Sequence, residues 1–117
     1  MNFTLVDLFK NSCSGRLKEL IDNCYLFIDS IELQRFKKSD YTCICSIYTF
    51  SDIREELIRY QDNLDCIGER LKIDWVYLIP IDKTELSYLR QQAQQKDNLE
   101  AWKIYLELQY ILSVNSS

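Results

Sequence analysis

The sequence predicts a compact α+β domain, mostly helical, in the order α-α-β-α-β-α-α with a small sheet. Three observations predict it. Long segments carry apolar residues at helical spacing, two shorter segments are rich in β-branched and aromatic residues, and only two glycines and one proline interrupt 117 residues. An all-helical bundle, with both shorter segments buried as helix, is the alternative. With 47% of residues apolar and 13% aromatic, the chain has material for one core. A single domain over 1-117 follows, with residues 115-117 expected as a disordered tail.

The elements follow in order. "TLVDLFKN", residues 4 to 11, reads as a short helix, with strand as the alternative because Phe3, Leu5 and Val6 suit either state. Residues 14 to 38 read as one long amphipathic helix. Leu17, Leu20, Ile21, Cys24, Phe27, Ile28 and Ile31 recur at helical spacing behind Ser14 as N-cap, and "KKSD" stops it. "YTCICSIYTF", residues 41 to 50, reads as a strand with Cys43 and Cys45 on one face.

In "SDIREELIRYQDNLDCIGERL", Ile53, Leu57, Tyr60, Leu64, Ile67 and Leu71 form a narrow seam. Asp52 and Glu55 fit a capping box, and Gly68 marks the expected helix end. The seam is shorter than three heptads, so core packing is preferred to a coiled coil. "IDWVYLIPI", residues 73 to 81, reads as a buried strand, whose end at Pro80 lies at a sheet edge or leaves the sheet there. Residues 41 to 81 then make a β-α-β unit. A third strand would come from the N-terminal stretch, unless helices cover both faces of a two-stranded sheet.

Two more capping boxes, Asp82 with Glu85 and Asp97 with Glu100, predict helices starting near Lys83 and Asn98. Lys96, Asp97 and Glu100 interrupt the stripe Leu86, Leu89, Ala93, which separates the two helices of a hairpin. The final helix has Ala101, Ile104, Tyr105, Leu108 and Ile111 on one face with Leu99, Trp102, Leu106 and Tyr110 beside it. So wide an apolar arc marks either a central core helix or an aromatic face for a partner, and the core reading is slightly preferred.

Several chemistries are removed by composition. No histidine occurs, so Ser-His and Cys-His nucleophiles and an imidazole base are absent. Glycines at Gly15 and Gly68 alone make no phosphate-cradling loop. Asp62, Asp65 and Glu69 share one side of the third helix, where a charged outer face is preferred to carboxylate catalysis. The five cysteines, Cys13, Cys24, Cys43, Cys45 and Cys66, contain no C-x-x-C pair and are expected to be reduced and packed. Cys43 and Cys45 offer two thiolates where zinc wants four ligands, so neither metal nor cofactor is expected. A thiol or metal enzyme built on that pair is a third reading.

A net charge of −4 disfavours general phosphate binding. Arg35, Lys37 and Lys38 form one basic cluster, read as cations at a helix C-terminus, with phosphate contact as the alternative. The N-terminus lacks a basic region before an apolar run, and no window of about 18 apolar residues occurs. The expectation is a small acidic cytoplasmic protein-binding module without catalytic activity: an inhibitor, an immunity-type antidote, a chaperone or a complex subunit. Its partner is another protein, with a homodimer as an alternative, and Trp102, Tyr105 and Tyr110 are the expected contacts. No membrane contact is expected. The runner-up is a small nucleoprotein subunit touching phosphates through Arg35, Lys37 and Lys38.

Overall fold

The computed structural model describes residues 4–35 and 38–115. It is a mostly helical α+β fold: α1 (Leu5–Asn11), α2 (Gly15–Ile21), β1 (Tyr25–Arg35), β2 (Lys38–Thr49), α3 (Ser51–Leu57), a 3₁₀ turn (Ile58–Tyr60), α4 (Gln61–Arg70), β3 (Trp75–Pro80), α5 (Lys83–Lys96) and α6 (Leu99–Asn115). The sheet order is β1-β2-β3, with β1 antiparallel and β3 parallel to the central β2. The expected β-α-β unit is therefore present, with α3 and α4 forming its crossover.

Residues 14 to 38 are not one helix. The helix stops at Ile21, Asp22 caps it, and the chain re-enters as an eleven-residue strand from Tyr25. The reason is tertiary. Leu26 and Ile28 pack on one side of the sheet while Phe27 packs on the other, so the strand is apolar on both faces and its period-2 signature disappears. The third strand thus comes from this segment rather than from the N-terminal stretch. Residues 4 to 11 do form the expected helix. Thr4 Oγ1 accepts from the Asp7 N–H and the Asp7 carboxylate accepts from the Thr4 N–H, both at 3.1 Å, a reciprocal cap.

Other boundaries also shift. Phe50, not Asp52, caps α3, and the expected Asp52/Glu55 box is not made. The seam is buried or partly buried as expected, yet the helix breaks into α3, a 3₁₀ turn and α4. Gly68 lies inside α4 rather than at its end. A Cβ there would stand 2.9 Å from Val76 Cγ2 and 3.4 Å from the Ile73 carbonyl oxygen, so the glycine serves close helix–strand packing. Asp82 caps α5 through the Glu85 N–H at 2.8 Å, as expected. One residue separates expectation from structure at α6. Asn98 Oδ1 accepts from the Glu100 and Ala101 N–H groups, while Asp97 ends α5 with a φ of 48°. Asn115, assigned to a disordered tail, closes α6; residues 116 and 117 lie outside the described residues.

The layers are helix, sheet, helix. Leu26, Cys45, Ile47 and Val76 meet α1 through α4 in one apolar cluster containing Phe9, Leu20, Ile21, Leu57, Leu64 and Ile67. Tyr25, Phe27, Tyr48 and Ile79 meet the α5–α6 hairpin in the other, under Leu86, Leu89, Ala93, Ala101, Tyr105 and Leu108. This division follows from strand alternation, since the register pairs Ile47 with Leu26 and Leu78 on one side and Tyr48 with Tyr25 and Ile79 on the other.

Candidate functional site

The thiols are the first chemistry to place. Cys43 and Cys45 share the sheet face toward α1 through α4, as alternation requires, and Cys13, Cys24 and Cys45 are buried. Cys66, expected near an apolar helix face, is exposed instead. Burial, with the neighbouring Cys43 and Cys13, pushes the Cys45 thiol up to about 12. Burial also raises Cys13, Cys24 and Cys43. A thiol so held is protonated at neutral pH and is a poor nucleophile and a poor metal ligand. Among the described residues no group of three or more cysteine or carboxylate side chains is placed to hold a metal ion.

The three carboxylates of α4 separate. Asp65 and Glu69 line a groove beside β3, whereas Asp62 lines another hollow with Ser12, Cys13 and Cys66. The basic cluster does not sit at a helix C-terminus. Arg35 ends β1 and Lys38 begins β2, paired in register, while Lys37 lies outside the described residues. From Lys38 to Thr42, β2 pairs with β1 alone, so the two cations end a two-stranded ribbon that runs past the start of β3.

The three aromatic residues expected to contact a partner divide between two environments. Tyr105 is buried under the sheet-facing side of α6, Trp102 is half-buried with its ring edge-on to Tyr105 at 5.9 Å, and Tyr110 is 70% exposed. Beyond them the structure shows a stripe. Leu99 (72% exposed), Leu106 (57%), Tyr110 and Val114 (53%) fall within ~80° of one another around the helix axis. Ala101 and Leu108, both fully buried, lie on the opposite side. Lys103 lies inside the arc of the stripe, between Leu99 and Leu106 along the axis, and Glu107 borders it.

A second surface was not anticipated from sequence. Trp75 (56% exposed) and Tyr77 (48%) stand on the face of the sheet that α5 and α6 cover only at its other end, their rings 6.4 Å apart and 11° from parallel. They border a groove of about 700 Å³ along the outer edge of β3, whose other wall carries Arg54, Ile58, Gln61, Asp65 and Glu69. The edge carbonyls are occupied by side chains: Gln61 Nε2 donates to the Val76 oxygen at 3.1 Å and Arg54 Nε to the Leu78 oxygen at 3.3 Å. Pro80 has the same parity as those residues. Its missing N–H falls on the outward side and costs the ladder nothing.

No family model, curated protein or solved structure matches the chain. Among the described residues no helix is long and apolar enough to cross a membrane.

Proposed function

We propose that this chain is a protein-binding module without catalytic activity, docking through the outer face of α6. One observation carries the reading. A helix that already buries Ala101, Tyr105 and Leu108 beneath it also presents Leu99, Leu106 and Tyr110 to solvent on its far side. Among the described residues the core beneath α6 is closed without them, and an exposed apolar stripe, here crossed by Lys103, is a usual mark of a surface that becomes dry on binding. The stripe extends ~22 Å, about four helical turns, which suits an amphipathic helix of a partner protein.

The test compares the tagged wild-type chain with a Leu106→Ser, Tyr110→Ser variant in extracts of its native host. The expected outcome is a protein retained stoichiometrically by the wild type and lost by a variant that melts at the same temperature. Equal retention by both contradicts the reading. Sedimentation velocity distinguishes a second copy of the chain as the occupant.

The ribbon favours one second reading, a nucleoprotein subunit, because Arg35 and Lys38 are paired in register at the end of a two-stranded ribbon that runs past the start of β3. Glutamate at Arg35, Lys37 and Lys38 would then abolish a salt-sensitive complex with RNA or DNA. Retention of such a complex by the triple variant excludes it.

A further inference from the structure

The geometry points to the outer edge of β3 as a docking site for an extended, basic segment of another protein, which joins the sheet as a fourth strand. This inference stands apart from the α6 reading, because the surfaces share no residue. β3 is an edge strand, and an edge offers a row of backbone groups to any chain that can pair with it. Here the Val76 and Leu78 carbonyls, two residues apart, are met by an amide and a guanidinium from α4 and α3. Those two side chains stand where the N–H groups of a fourth strand would stand. Both bonds, at 3.1 and 3.3 Å, can be exchanged for backbone donors one for one.

The surroundings say what the segment carries. Side chains of one parity would lie across Trp75 and Tyr77, where aromatic and β-branched partners pack best. Those of the other parity would meet Ile58, itself 50% exposed. Along the helical wall Asp65 and Glu69 are exposed, and Asp74 stands at the start of the strand. Arg54, at the Leu78 end, and Lys72 oppose these three carboxylates. Asp74 already accepts from the Cys43 N–H at 2.8 Å, so Asp65 and Glu69 are the exposed pair left beside the Val76 end. Lysine or arginine in the segment matches that wall. The same charge argues against a second copy, since antiparallel pairing of two β3 edges would bring Asp65 and Glu69 of both copies onto one side of the joined sheet.

Fluorescence anisotropy tests the site with a labelled eight-residue peptide of alternating valine and threonine between terminal lysines. Saturable binding is expected, about tenfold weaker when the lysines are replaced by glutamates and lost when alternate amides are N-methylated. Tyr77→Lys and Trp75→Lys, both at exposed positions, should each remove binding from a folded protein. The Arg54→Ala, Gln61→Ala variant should bind several-fold tighter because its edge carbonyls are vacant. Leu106→Ser should bind as the wild type does, which separates this site from α6. Absence of saturation up to about 1 mM, or equal binding of the N-methylated peptide, overturns the proposal. A concentration-dependent dimer abolished by Tyr77→Lys, without peptide binding, overturns it in favour of self-pairing.

Discussion

On one face of the sheet α1 through α4 bury Cys45, Ile47 and Val76 in a continuous layer, whereas on the other the α5–α6 hairpin covers Tyr25, Phe27 and Tyr48 but leaves Trp75 and Tyr77 in solvent. The second side is not short of apolar material. Of the nine large apolar residues exposed among the described residues, seven lie at or beyond Trp75, so apolar surface is distributed unequally rather than scattered. Both faces carry a buried core, and the unequal distribution of exposed apolar groups is the observation on which the proposed docking surfaces rest.

The largest effect should come from breaking the first face. Gly68→Ala pushes a methyl against Val76 Cγ2 and the Ile73 carbonyl, and Val76 is a β-branched side chain held in the sheet. Overpacking of this kind costs about 1–3 kcal/mol, partly offset by the better helix propensity of alanine. A lowered urea midpoint at unchanged slope is the expected reading. A midpoint equal to or above the wild type would show that α4 and β3 can move apart.

Alkaline titration compares the two faces more gently, because each holds one strongly shifted group. Cys45, in the first cluster, is raised to about 12 chiefly by burial, and Tyr48, in the second, is raised to about 12 by burial and then by Glu85. Both stay neutral in the fold after the unfolded chain has begun to lose those protons, above 9.0 for the thiol and 10.0 for the phenol. Stability from this source is whole below pH 9 and drains away as pH rises toward 12, each group contributing up to about 1.4 kcal/mol per pH unit. Cys45→Ala should flatten the onset near pH 9, and Tyr48→Phe should flatten the later part. A loss that neither substitution alters would contradict the assignment.

Much of this arrangement was legible in the residues. Strand alternation put Cys43 and Cys45 on one face, Asp82 announced α5, and the charged break at Lys96 and Asp97 separated the hairpin helices. What failed to read was β1. Phe27, Ile28 and Ile31 satisfy helical spacing, and a strand packed on both faces loses the alternation that would have betrayed it. Asp22 and Asn23, two poor helix formers before a run of Tyr25, Leu26, Phe27 and Ile28, were the available signal. The groove beside β3 was invisible for a different reason. "WVYL" reads as a buried strand from composition, and only the limited reach of the α5–α6 hairpin leaves Trp75 and Tyr77 exposed.

The central claim is that α6 has a core side and a docking side, and two leucines two residues apart test it most directly. Urea unfolding of Leu108→Ala and Leu106→Ala should separate them sharply. Leu108 is fully buried and its truncation should cost about 2–5 kcal/mol, while Leu106 is 57% exposed and its truncation should stay within about 0.5 kcal/mol. Comparable losses at both positions would show that the outer stripe is part of the folded core and would contradict the account.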